Sequence, residues 1–156
     1  MFFEDSDYIR FLRNPRVYFD GEISHQKNEW EPRMHKYYPV GEIGNVSLHF
    51  NHYKTFEDAV KKWNERKQRI NWYNLFAVMH TENKEILEQF EELPYGKKAC
   101  FVPFKSDLDS AFYISPKFHK GRTFREVTFD ISRGLLFYYD VFDMLLYGKK
   151  TQLIDM

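Results

Sequence analysis

The chain has 156 residues, which fits a single domain able to bury a core without covalent staples. Acidic and basic residues balance at a net charge of zero, which excludes the strongly basic footprint of a dedicated nucleic-acid binder. One cysteine, Cys100, allows no internal disulfide, no apolar run reaches membrane-spanning length, and the start has no signal-peptide pattern, so the composition points to the cytoplasm.

Taken in chain order, Met1 to Phe3 reads as the end of a strand, and Asp5 or Ser6 as the cap of a helix with Tyr8, Ile9, Phe11 and Leu12 on its apolar face. Asn14-Pro15 should end or kink it. Residues 24–36 are polar without a clean period and read as a long loop, or a loop with one helical turn. Residues 37–40 read as a strand with Pro39 at an edge or entry position, followed by a turn at 41–45. Residues 46–53 alternate clearly, with Val46, Leu48, Phe50 and His52 on one face and Ser47, His49, Asn51 and Tyr53 on the other.

Thr55 opens a helix, with Asp58 three residues on as a variant capping box. Phe56, Ala59, Val60, Trp63 and Ile70 fall in one apolar arc, Lys67 lies inside it, and Asn71 ends the helix. Residues 75–79 form a continuous apolar run expected to be a central strand. Thr81 or Asn83 caps a helix whose apolar face is Ile86, Leu87, Phe90 and Leu93. Residues 98–104 read as a strand centred on Ala99, Cys100, Phe101 and Val102. Strand–helix–strand–helix–strand from 46 to 104 predicts an α/β fold: one central, mostly parallel or mixed sheet with helices on both faces, in a single domain. Beyond it, residues 111–114 read as a short strand, 115–125 as a loop rich in Lys, His and Gly, and 127–131 as a strand or lead-in. Leu135, Phe142, Leu145 and Leu146 have helical spacing, with Gly148 as the C-cap.

The candidate chemistry lies where the 46–53 strand meets the following helix. His52, Tyr53, Lys54 and Thr55 would sit at a strand's carboxyl end, just before a helix N-terminus that favours anions. A phosphate is the ligand this suits, with His52 as donor or acid; the plain alternative is a histidine packed at the sheet edge. Lys62, Arg66 and Arg69 make a basic stripe, read either as a solvated helix face or as a site for an acidic sugar, a nucleotide-sugar phosphate or an acidic partner. Asn71 and Asn74 suit turn and cap positions, Asn74 being also a candidate ligand contact. His49 and His52 would face apart, and no histidine, cysteine or carboxylate spacing suggests a metal. No phosphate-loop, dinucleotide or nucleophile-elbow motif is present, so no cofactor is expected. Aromatics, 19% of the chain, fit a ring-built core better than a stacking site for sugars or bases.

Tyr-Pro-Val-Gly at 38–41, His-Phe-Asn-His-Tyr at 49–53, Trp63 followed by Glu-Arg-Lys, and Arg-Ile-Asn-Trp-Tyr-Asn-Leu-Phe at 69–76 together resemble the DUF1919 family. The opening Phe-Phe-Glu-Asp-Ser-Asp-Tyr-Ile-Arg-Phe-Leu fits the same pattern. The resemblance spans residues 1 to about 104. It implies a bacterial exopolysaccharide or capsule biosynthesis protein, and a short or trimmed start, because the family's upstream Asn-Asn-Cys and glycine-containing turn has no counterpart here. Joined to the anion site, it suggests a transferase acting on a phosphorylated or nucleotide-linked sugar. The alternative is a non-catalytic accessory module with a protein partner in a polysaccharide system.

Overall fold

The computed structural model describes residues 1–132 and 138–156. The α/β class holds, with helices and two three-stranded sheets, one antiparallel and one parallel. The chain divides into two compact units, residues 1–73 and 74–156.

In the first unit, helix α1 (Asp5–Arg13) is preceded by Glu4 at the N-cap position and buries Ile9, Phe11 and Leu12. The cap is therefore neither Asp5 nor Ser6. Asp7 acts instead across the chain: its carboxylate accepts the Ser47 N–H at 3.0 Å. Pro15 starts helix α2 (Pro15–Asp20) at its first turn, where a missing N–H costs nothing. Strands β1 (Ser24–Glu31), β2 (Lys36–Ile43) and β3 (Val46–His49) then form an antiparallel sheet in the order β1-β2-β3.

Residues 24–31 are thus a strand and not the expected loop. Six of the eight positions of β1 are exposed, so neither face carries the apolar alternation that marks a strand. Its charged side chains and the bulge between His25 and Lys27 suit an edge that must not recruit another chain. Pro39 lies inside the middle strand, opposite Asn28. Its carbonyl accepts from Phe50 N–H at 3.0 Å, so its nitrogen faces the side where β3 has just ended and no ladder bond is lost. The β2–β3 turn is tighter than expected, only Gly44 and Asn45, with Gly44 at φ 61°.

This hairpin overturns the expected parallel arrangement of the 46–53 strand with the 75–79 strand. A two-residue turn lets β3 pair locally with β2, while the later strand has its own parallel partner. Helix α3 (Phe56–Lys67) buries Ala59 and Trp63 and ends at Lys67, earlier than Asn71. Ile70 and Arg69 therefore lie beyond it. Lys67 does sit in the apolar arc: its stem is half-buried and its ammonium donates to the Phe19 carbonyl at 2.9 Å. Rings fill this core. Phe11 meets Phe3, Tyr18, Phe19 and Trp63, and Phe19 stacks on Trp63 at 4.9 Å.

The second unit holds the parallel sheet β4-β5-β6, with β4 (Ala77–His80), β5 (Lys98–Val102) and β6 (Ala111–Tyr113). The expected central strand at 75–79 is an edge strand among the described residues, and Val78 is exposed. Strand β5 is the middle one, with Ala99 to Val102 buried as the sequence indicates. Helix α4 (Lys84–Glu91) crosses between β4 and β5; Asn83 caps it, and Ile86, Leu87, Phe90 and Leu93 are buried.

A 3-10 turn at Pro116–Phe118 follows, then helix α5 (Phe124–Ser132). The region from 127 on is helical, not a strand, because Thr123 and Glu126 cap it reciprocally: Thr123 N–H donates to the Glu126 carboxylate at 2.8 Å and Glu126 N–H to Thr123 Oγ1 at 3.4 Å. Helix α6 (Val141–Tyr147) is capped by Asp140 and ends at Gly148 with φ 66°, the expected stop. Leu135, expected at the start of that helix, lies outside the described residues. Phe101, Phe112, Ile114, Phe124, Val127, Tyr139 and Met144 belong to one core cluster of this unit.

Candidate functional site

Strand β3 ends at His49, so the next residues are not the last rungs of a strand but a turn. That turn carries His52, Tyr53 and Lys54 to the start of α3. Together with Asp58, Lys61 and Lys62 from the helix they line a cleft of about 370 Å³. Helical spacing explains the second group: positions 58, 61 and 62 lie three and four apart and share one face. Of the residues expected from sequence, the cleft gathers His52, Tyr53, Lys54 and Lys62. Lys61 and Asp58 join them unforeseen; their signal was the same helical spacing.

The cleft's origin differs from the one expected. It does not lie at the carboxyl edge of a parallel sheet, because β3 is antiparallel to β2. Thr55 is occupied as the N-cap of α3: its Oγ1 accepts the Asp58 N–H at 3.2 Å and its hydroxyl donates to the Asp58 carboxylate at 2.9 Å. The helix end therefore supplies its own anion. The positive character of the cleft comes from Lys54, Lys61 and Lys62. Lys62 also bonds Glu65 at 2.6 Å, a pair that holds the Glu65 carboxyl below its usual range. Burial, followed by the amino-terminal charge and Lys36, lowers the pKa of His52 and favours its neutral form. A neutral imidazole suits a base or a neutral donor better than the acid first expected of it.

Arg66, Arg69 and Asn74 do not line this cleft. Arg66 is on the last turn of α3, Arg69 follows the helix end, and the basic stripe is thereby broken. Asn74 accepts a hydrogen bond from Lys97 at 3.4 Å, and Asn71 accepts the Tyr73 N–H at 3.1 Å in a local turn.

A separate polar cluster lies on the antiparallel sheet. His49 is buried, its ring stacked on Phe2 at 4.5 Å, and the two backbones pair. Its Nδ1 lies 3.3 Å from the Tyr38 hydroxyl and 3.5 Å from Glu29 Oε2. Burial, reinforced by the negative charges of Glu29 and Glu31, pushes the Tyr38 pKa up to about 12. Burial also lowers the pKa of His49, against the opposing pull of Glu29. Sequence reading separated His49 from His52 but missed these partners, because Glu29 lies on the strand read as a loop. Among the described residues, no cluster of three or more His, Cys, Asp or Glu side chains could hold a metal ion, and no helix is long and apolar enough to cross a membrane.

The sequence profile of a family described as a domain of unknown function, DUF1919, matches residues 1–147. The chain belongs to the DUF1919 family. A relative from Haemophilus influenzae (strain ATCC 51907 / DSM 11121 / KW20 / Rd), described as an uncharacterized protein, is 30% identical over 120 residues. That alignment covers 73% of this chain and 54% of the relative, so the DUF1919 chain spans about half the length of the relative it matches.

Proposed function

We propose that this DUF1919 protein acts in the cytoplasm in bacterial exopolysaccharide or capsule biosynthesis, as a transferase that binds a phosphorylated or nucleotide-linked sugar in the His52 cleft. The observation that carries this reading is the shared lining of His52, Tyr53, Lys54, Lys61 and Lys62. Lysine ammonium groups hold phosphate oxygens as point charges. Tyr53 offers a ring and a hydroxyl to a sugar. His52, favoured as the neutral imidazole, takes a proton from the attacking hydroxyl. Arg66 and Arg69 contribute charge near the helix end rather than direct contacts.

Titrating the protein with UDP-glucose by calorimetry tests the reading. Saturable binding is expected, and Lys54→Ala and Lys62→Ala should each weaken it about tenfold, the size of one charge-assisted hydrogen bond. With a sugar acceptor added, whose hydroxyl takes the glucosyl group as UDP leaves, His52→Ala should leave UDP-glucose binding intact and stop UDP release. An absence of saturable heat, or affinities unchanged in both lysine variants, removes the cleft from consideration. A second reading, an accessory module that binds a polysaccharide enzyme or its product, draws on Asp58, whose carboxylate shares the cleft with the lysines and disfavours a highly charged nucleotide. Under that reading UDP-glucose is bound weakly and never consumed.

A further inference from the structure

Parallel sheets bind ligands outside the carboxyl ends of their strands, and in this chain that rule applies to the second unit. Strand β4 ends at His80. After β6 the chain passes Ser115 and the Pro116–Phe118 turn to reach His119 and then Phe124, the first residue of α5. The Phe124 ring ties these ends together: its centroid is 6.3 Å from that of His80 and 5.6 Å from that of His119. Two imidazoles, one at the end of β4 and one on the connection that follows β6, thus lie beside one buried phenyl ring.

Three further observations concern the same place. His119 Nε2 is buried and has no hydrogen-bond partner among the described residues, a state that buried nitrogens rarely keep unless something else satisfies them. Lys120 has a φ of 49°, and a lysine gains nothing intrinsic from the left-handed region. It follows the right-handed His119, whose own N–H is spent on the Pro116 carbonyl at 2.9 Å, so the right-handed/left-handed pairing that favours anions has the Lys120 and Gly121 N–H groups to offer. Finally, Lys117, Lys120, Arg122 and Arg125 fall between positions 115 and 125 with no acidic residue among them, in a chain whose total charge is zero. The α4 start contributes less positive field, since Glu82 and Glu85 flank Lys84.

We propose that the carboxyl edge of the β4-β5-β6 sheet is a phosphate-binding site, built from His80, His119 and the backbone at Lys120, that takes a phosphorylated small molecule. The imidazoles donate to the phosphoryl oxygens, and the cationic loop supplies the countercharge. The proposal is independent of the His52 cleft, since it uses none of the same residues.

The test is a titration of the wild-type chain with inorganic pyrophosphate, followed through the imidazole nitrogens of all six histidines by NMR. The signals of His80 and His119 should move together and saturate, while sodium chloride at matched ionic strength leaves them in place. His119→Phe should weaken pyrophosphate at least tenfold, and His52→Ala should not change it at this site. Shifts confined to His52 would overturn this site and leave the cleft standing. Shifts at His80 and His119 that grow without saturating, or that salt reproduces, overturn it as well. Because the titration reads the unmodified chain, its outcome does not depend on a variant folding.

Discussion

The two sheets solve burial differently. Strand β5 is covered on both faces and reads in sequence as an unbroken apolar run. Strand β1 belongs to a sheet of the same size but is exposed at six of its eight positions, and its ladder with β2 is supplemented by a few side-chain contacts such as Glu29 with His49 and His25 with Phe56. Backbone pairing can therefore place a strand that side-chain pattern does not announce. The energetic counterpart is large. Phe112 is fully buried, with its ring 4.9 Å from Tyr139 and 5.7 Å from Phe101. Phe112→Ala should cost about 3–5 kcal/mol in denaturant unfolding. Trp30→Ala on β1 loses exposed ring contacts with Tyr37 and His35 and should cost less than about 1 kcal/mol. Equal costs would erase the distinction.

The antiparallel sheet is not loosely built everywhere. A Cβ placed on Gly41 would lie 2.7 Å from Ile23 Cγ2 and 3.0–3.1 Å from the Phe56 and Phe50 rings. Gly41→Ala is thus an overpacking change, expected to cost about 1–3 kcal/mol in the same unfolding assay. A neutral or stabilising result would mean that the Ile23, Phe50 and Phe56 side chains move aside for the added methyl.

Legibility followed this division. The capped helices α3 and α4, the Gly148 stop of α6, the buried centre of β5 and the short β6 could be read from residues, because each carries an apolar period or a stop signal of its own; the start of α6 at Val141 could not, since the apolar spacing continues back to Leu135. The pairing of β3 could not be read, since an alternating strand looks the same beside either neighbour and only the short Gly44-Asn45 turn decided it. At the site, His52, Tyr53, Lys54 and Lys62 were legible as neighbours along one turn and one helix. Arg69 was lost because the helix ended two residues before it, and the Glu29–Tyr38–His49 cluster was hidden by the unread β1. The start of α5 shows a signal present but passed over: Thr123-x-x-Glu126 is a capping box of the same form as Thr55-x-x-Asp58. Thr123→Ala and Thr55→Ala should each cost about 1 kcal/mol, while Glu126→Ala, which loses the carboxylate that accepts both the Thr123 N–H and its hydroxyl, should cost more than Asp58→Ala. The reverse order would show that packing of Val127, not the cap, fixes α5.

The smallest expected effect concerns acid. His49 is held below its ordinary pKa, first by burial, then by Lys27, against the opposing influence of Glu29, Glu4 and Asp7. A histidine depressed in the folded state binds its proton more readily when unfolded, where its pKa is about 6.5. The unfolded chain then carries more protons, so stability falls as pH drops below about 6.5 and levels once the folded state also titrates. Tyr38 and Phe2 make the response local: the imidazole is bonded to one and stacked on the other, so its charging strains the contact between the chain start and β3. His49→Gln should retain a hydrogen-bonding side chain and flatten the fall of Tm between pH 7 and pH 5. His52 is lowered too, so a residual slope remains until His52→Gln is added. An undiminished slope in the double variant would place the acid sensitivity outside these two histidines.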